Sequence, residues 1–226
     1  MQRFSRTRML IGDSGLSRLA AARVVIIGVG GVGSFAAEAL ARVGIGFLRL
    51  VDDDVIDVTN INRQLHALDS TVGKAKVQVL AERFLEINPR LWVEPVQQRY
   101  LPGKGQYLLE GCTWVIDAVD TVAAKADIIG HALAAKQGII SAMGTGNKLD
   151  ASLLRLDDIS DTYNCPLARR VRRELGKKGI RTGVPVLWSP ELPAGAEKAA
   201  VPASISYVPA TAGLLMASYV VNKILS

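Results

Sequence analysis

One stretch of the chain, Gly28-Val29-Gly30-Gly31-Val32-Gly33, sets four glycines between a β-branched run and an alanine-rich segment. Glycines at this spacing permit a tight turn and let backbone N–H groups close on phosphate oxygens. A helix beginning there adds the partial positive charge of its N-terminus. Asp52 ends the next apolar run, where a carboxylate can accept from ribose hydroxyls, and Asp53 and Asp54 follow it. Asn60-Ile61-Asn62-Arg63-Gln64 and Gly73-Lys74-Ala75-Lys76 then bring amide, guanidinium and ammonium groups that can neutralise a triphosphate. Asp120 closes a later apolar run, a position from which a carboxylate can hold Mg²⁺. Singly, Arg63 and Lys76 read as surface charges and Asp120 as a helix N-cap. Together they point to a bound nucleotide. A nicotinamide dinucleotide would leave Lys76 and the Asn60–Arg63 stretch idle, and 226 residues leave little room for a separate catalytic domain.

The elements needed to position these groups alternate. Strands are expected at 24–29, 47–51, 91–96, 114–119 and 138–143, with Pro95 marking 91–96 as an edge strand or a short one. Helices are expected at 31–43, closed by Gly44, at 74–87, stopped by Asn88-Pro89, and at 123–136. This rhythm predicts an α/β fold with a Rossmann-like, doubly wound and mostly parallel sheet. Beyond residue 145 it changes. Strands are expected at 151–156, 184–189 and 204–208, with a basic helix from Pro166, a Pro- and Gly-rich loop at 190–203 and a closing helix at 209–225. The chain reads as a single domain, 1–226, with a nucleotide-binding half (1–145) and a second half (146–226).

Composition narrows the class. Hydrophobic residues at 49% and charged ones at 21% argue against disorder. No apolar stretch reaches the roughly 18 residues that cross a bilayer. The basic N-terminus lacks the apolar core of a signal peptide, so the cytoplasm is the expected compartment and no membrane is expected as partner. Cys112 and Cys165 cannot build a disulfide framework, and no Cys-x-x-Cys is present to hold zinc. Basic residues cluster at Arg169, Arg170, Arg172, Arg173, Lys177, Lys178 and Arg181 against Glu174 alone, and this segment carries the whole net charge of +6. It reads either as a solvated helix face or as a contact for a polyanion. With few aromatics for stacking, phosphate contact is the more natural role.

These motifs, from the glycine turn through Asp52-x-Asp54, Asn60-x-x-Arg63-Gln64, Lys76 and Asp120, resemble the ubiquitin-activating-enzyme-like adenylyltransferases. Within that superfamily the sequence is similar to the tRNA threonylcarbamoyladenosine dehydratases, on stretches such as 36–46, 59–68, 144–150 and 204–209. The resemblance implies a homodimeric, ligase-like enzyme that activates a carboxylate with ATP and Mg²⁺, and it assigns the acceptor site and dimerisation to the second half, 146–226. It implies that Gly28, Gly30, Gly31 and Gly33 wrap the nucleotide and that Asp52 and Asp54 serve its binding, Asp52 at the ribose. It further implies that Asn60, Arg63 and Lys76 contact phosphates, that Asp120 binds Mg²⁺, and that Arg6 (or Arg8) reaches into the partner's site. The expected catalytic set is therefore Arg63, Lys76, Asp120 and Arg6.

On this reading the substrate is tRNA, held by Arg169, Arg170, Arg172, Arg173, Lys177 and Lys178, and the reaction is a dehydration that closes a ring. The closest rival is adenylation of the C-terminal glycine of a small sulfur-carrier protein, which the absence of a zinc-binding Cys-x-x-Cys pair weighs against. A non-catalytic scaffold leaves Arg63 and Asp120 unexplained. A sulfur-transfer or redox partner protein fits the resemblance without being identified by any residue. Cys165 reads as a structural thiol rather than a covalent nucleophile, Cys112 as core, His66 as packed near the site, and His131 as structural.

Overall fold

The computed structural model describes residues 2–194 and 202–226. Seven strands form one sheet: β1 (Arg23–Ile27), β2 (Phe47–Val51), β3 (Trp92–Val96), β4 (Trp114–Asp117), β5 (Gly138–Ala142), β6 (Arg155–Asp158) and β7 (Pro185–Trp188). Their order is β3-β2-β1-β4-β5-β7-β6, with every pair parallel except antiparallel β6–β7. The expected α/β architecture is present, and β3, which contains Pro95, lies at the edge.

Alternation along each strand divides the core between the two faces. Val24 and Ile26 of β1 pack toward α1 (Ser5–Ala21), α2 (Gly33–Val43), α3 (Lys76–Ile87) and the C-terminal helix α6 (Tyr207–Leu225). Val25 and Ile27 pack toward α4 (Val122–Ala134) and α5 (Pro166–Lys177). The change of winding direction between β1 and β4 opens the crevice where such sheets bind ligands.

Three sequence expectations are corrected, and one helix lies outside them. Helix α1 has no counterpart among them, because its N-cap Phe4 offers no side-chain cap and Gly12, at φ 70°, kinks its run. Residues 204–208 are not a strand. Ser206 stands at the N-cap of α6, and Pro209 is tolerated in the first turn, where its missing N–H has no helical partner to lose. In place of a strand over 151–156, Asp150 caps a 3-10 turn, Ala151–Leu153, by accepting from the Ser152 N–H, and β6 starts at Arg155. Finally, α6 is long and apolar enough, by length and composition alone, to cross a membrane. Small polar residues spread through it hide this from a search for uninterrupted runs. In the fold Val208, Ala212, Met216 and Val220, four residues apart, are all fully buried. The loop expected at 190–203 lies partly outside the described residues.

Candidate active site

The carboxyl ends of β1, β2, β3 and β4 surround a cavity of about 320 Å³. The glycine turn is its floor. Gly28 takes φ 86°, and a Cβ there would lie 2.8 Å from the Ala118 carbonyl oxygen; one on Gly33 would lie 1.9 Å from the Gly28 carbonyl oxygen. The fold itself demands these two. Gly30 differs, because a Cβ there would find nothing nearer than the Gln64 amide nitrogen at 3.7 Å, although Gly30 lines the cavity. Only a ligand needs that space empty. Gly30→Ala is therefore expected to change stability by less than about 0.5 kcal/mol. The same variant should weaken ATP at least about tenfold, read by calorimetry beside a thermal melt.

Asp52 ties the turn to β2. Its Oδ2 accepts from the Val29 N–H at 2.8 Å and its Oδ1 from the Asp54 N–H at 2.9 Å. Burial pushes its carboxyl above the usual carboxylate range, against Lys76 and the two backbone donors. Lone pairs remain for ribose hydroxyls. Asn60 lines the cavity and accepts from the Asp57 N–H through Oδ1, which leaves its Nδ2 without a partner among the described residues. Arg63 is oriented by Nη1, which donates to the Thr59 carbonyl and to Asn62 Oδ1, both at 2.8 Å. Lys76 is buried, and its ammonium lies 2.6 Å from Asp54 Oδ2. Asp54 takes one of the three ammonium donors, so a phosphate can share Lys76 with it or displace it, Asp54 being 60% exposed.

The other acidic groups sort by partner. Asp53 faces Arg99 at 3.7 Å, and Asp52 is held by backbone donors. Asp120 is exposed and has neither hydrogen-bond nor ion-pair partner among the described residues; the N-cap of α4 is Thr121. A lone carboxylate on the rim of a cavity that Arg63 and Lys76 also line fits Mg²⁺, which takes one or two carboxylates and fills its remaining positions with phosphate and water.

The structure thus brings Gly28, Gly30, Asp52, Asp54, Asn60, Arg63, Lys76 and Asp120 to one cavity. Gly31 and Gly33 serve the turn and its packing instead: a Cβ on Gly31 would lie 3.2 Å from Pro209. Helix α2 opens with no side-chain cap; the Ser34 N–H donates to the Gly30 carbonyl, and the positive end of the helix still favours an anion there. Arg6 is exposed on α1, outside the cavity of its own chain, and has no partner among the described residues. Arg8, by contrast, faces Asp13 at 3.6 Å. On α5, Arg172 turns inward to the Ile159 and Thr162 carbonyls and the Thr162 hydroxyl. Arg172 is thereby tied to backbone and hydroxyl groups of the preceding turn, and Lys178 is paired with Asp127 of α4 at 3.4 Å.

Sequence reasoning names Gln64 only as part of the Asn60–Gln64 stretch, and its buried Oε1 on the cavity wall has no partner among the described residues; it gives no role to Arg99 on the opposite rim. Arg99 follows β3 as Asp52 follows β2, and its place at a carboxyl strand end is the signal that could have found it. His66 is 2% exposed, and neither ring nitrogen has a partner among the described residues. Burial, with the Lys76 charge nearby, brings its pKa from 6.5 down to about 4. Between these two values the unfolded chain binds a proton that the folded chain refuses. Stability present above pH 6.5 is therefore withdrawn as pH falls toward 4, by on the order of 3 kcal/mol in full. Melts of the wild type and His66→Leu across that window should show a shallower slope for the variant.

Fold and cavity together define an α/β protein of the doubly wound class, with a cavity at the carboxyl ends of its strands lined by Arg63, Lys76 and Asp120. A profile of the ThiF family matches residues 4–226, and the chain belongs to that family. It is 41% identical to the tRNA threonylcarbamoyladenosine dehydratase of Bacillus subtilis (strain 168), over 100% of this chain and 95% of that protein. The E. coli tRNA N6-threonylcarbamoyladenosine dehydratase in complex with ATP superposes with a TM-score of 0.92 at 37% identity, covering 99% of this chain and 94% of that one. The AMP complex of the same enzyme gives the same TM-score and identity.

Proposed function

We propose that the protein is an ATP-dependent dehydratase that cyclises N6-threonylcarbamoyladenosine in tRNA. The observation that carries this reading is the match along the whole chain to a dehydratase solved with ATP, with a cation-rimmed cavity at the expected place. The threonyl carboxylate attacks the α-phosphorus of ATP, forming an acyl-adenylate and releasing pyrophosphate. The amide nitrogen of the same side chain then attacks the acyl carbon and loses its proton, and AMP leaves with the former carboxylate oxygen. Ring closure is intramolecular, with an effective molarity on the order of 10⁵ M or more when well oriented. No enzyme nucleophile is required, in keeping with Cys165, which is buried and caps α5 by accepting from the Ala168 N–H.

The residues have matching tasks. Asp52 holds the ribose, the α2 N-terminus and Asn60 meet phosphate, and Arg63 and Lys76 offset the charge that moves onto pyrophosphate. Asp120 holds Mg²⁺, which when bound neutralises phosphate charge. Arg6, on an α1 that also exposes Met9 and Leu10, completes the partner's site in a homodimer. The enzyme works in the cytoplasm, where its tRNA and ATP are available.

The test is incubation with ATP, Mg²⁺ and tRNA carrying the modified adenosine, followed by mass spectrometry of the nucleosides. Loss of one water from the modified adenosine is expected. ATP–pyrophosphate exchange that depends on a small carrier protein, with the nucleoside unchanged, would replace this reading by carrier activation.

A further inference from the structure

A second cavity, of about 790 Å³, lies beside the first, between α4 and α5. The two share Asp120 and Thr121, where α4 begins, so the groove runs directly into the nucleotide site. Ala123 lies on its α4 wall, and Arg170, Arg173 and Lys177 on its α5 wall. Two further carboxylates face it, but each is matched: Lys177 lies 2.8 Å from Glu174, and Lys178 lies 3.4 Å from Asp127. Arg170 is exposed and has no acidic partner among the described residues. Arg173, 72% exposed, meets Glu174 only at 3.6 Å. Two guanidinium groups are therefore available in a groove that ends at the reacting nucleotide, and their planar forks suit phosphate. Arg169 and Arg181 are as exposed but lie outside this groove.

We propose that this groove is the RNA channel. It rests on the dehydratase reading above. The ribose-phosphate strand flanking the modified adenosine lies along α5 on Arg170 and Arg173, and the acyl-bearing side chain of the base passes Thr121 into the nucleotide cavity. The basic segment thus divides by position: the groove-facing arginines recognise RNA, while Arg169 and Arg181 contribute only to the surrounding field.

Three full-length variants test this. Arg170→Glu/Arg173→Glu reverses charge in the groove, Arg169→Glu/Arg181→Glu makes the same change outside it, and Ala123→Trp plugs it without altering charge. ATP affinity is read by calorimetry, and KM for modified tRNA from the loss of water. The groove pair and the plug should each raise KM for tRNA about tenfold or more with ATP affinity unchanged, and the outer pair less than about threefold. The salt dependence of tRNA binding should become shallower for the groove pair, by about 0.7 to 0.9 in slope for each phosphate that is no longer neutralised. Equal losses in both pairs, with the plug at wild-type KM, would overturn the channel while leaving the dehydratase reading intact. Wild-type protein that binds ATP and tRNA but never dehydrates the nucleoside would overturn the reading, and the channel with it.

Discussion

Asp120→Asn should abolish most dehydration while leaving the protein as stable as wild type. The side chain is exposed and has no partner among the described residues, so the fold loses nothing when its charge is removed. The amide keeps the shape and loses the anionic oxygen that a hard divalent cation requires. Removing a group that stabilises charge in the reaction costs on the order of 10²- to 10³-fold in kcat. The same factor should appear in ATP–pyrophosphate exchange driven by modified tRNA, and tRNA affinity should stay put. A Mg²⁺ titration separates the two ways of losing rate: weaker metal binding shifts the half-saturating concentration, whereas a misfolded site loses ATP altogether. Activity within about threefold of wild type at saturating Mg²⁺ would remove Asp120 from the metal site.

The second large effect concerns stability. Lys125, Asp117 and Ser141 are all at 0% exposure beneath the cavity. The Lys125 ammonium lies 3.0 Å from Asp117 Oδ2, the Ser141 hydroxyl donates to the same oxygen at 2.5 Å, and Asp117 Oδ1 accepts from the Val119 N–H at 3.2 Å. The cluster joins β4, β5 and α4 at the loop that presents Asp120. Lys125→Met strands a buried carboxylate and is expected to cost about 3–5 kcal/mol, measured by urea unfolding. The double variant Asp117→Asn/Lys125→Met removes both charges and keeps an acceptor for Val119, so most of that loss should return. A single variant as stable as wild type, or a double variant no better than the single, would mean the pair contributes little.

The parts of the site that a linear reading reveals are those made by local sequence. The glycine turn, Asp52 and Asp120 each follow an apolar run, and a parallel sheet brings the carboxyl ends of such runs together. Six parallel strands, β1 to β5 and β7, are legible as apolar runs in the same way. The hidden parts depend on tertiary placement. Helix α1 lacks a cap and a clear apolar stripe, so nothing local marks it. Arg172 looks like its neighbours in sequence, and only the turn at Ile159–Asp161 decides that it faces inward. Lys125 reads as one more surface lysine on a helix, because its partners Asp117 and Ser141 belong to two different strands. The pairing of Lys76 with Asp54 spans a loop that periodicity does not describe.

The seating of α6 on the glycine turn has a consequence for how the protein is made. A Cβ on Gly213 would lie 2.2 Å from the Val32 carbonyl oxygen, so the helix sits directly on the turn, with Pro209 against Gly31. The ribosome delivers the turn early in synthesis and its backing helix only after residue 206. A nascent chain therefore carries the sequence for gripping nucleotide long before it has the rigidity to do so, and ATP should distinguish a completed polypeptide from a stalled one.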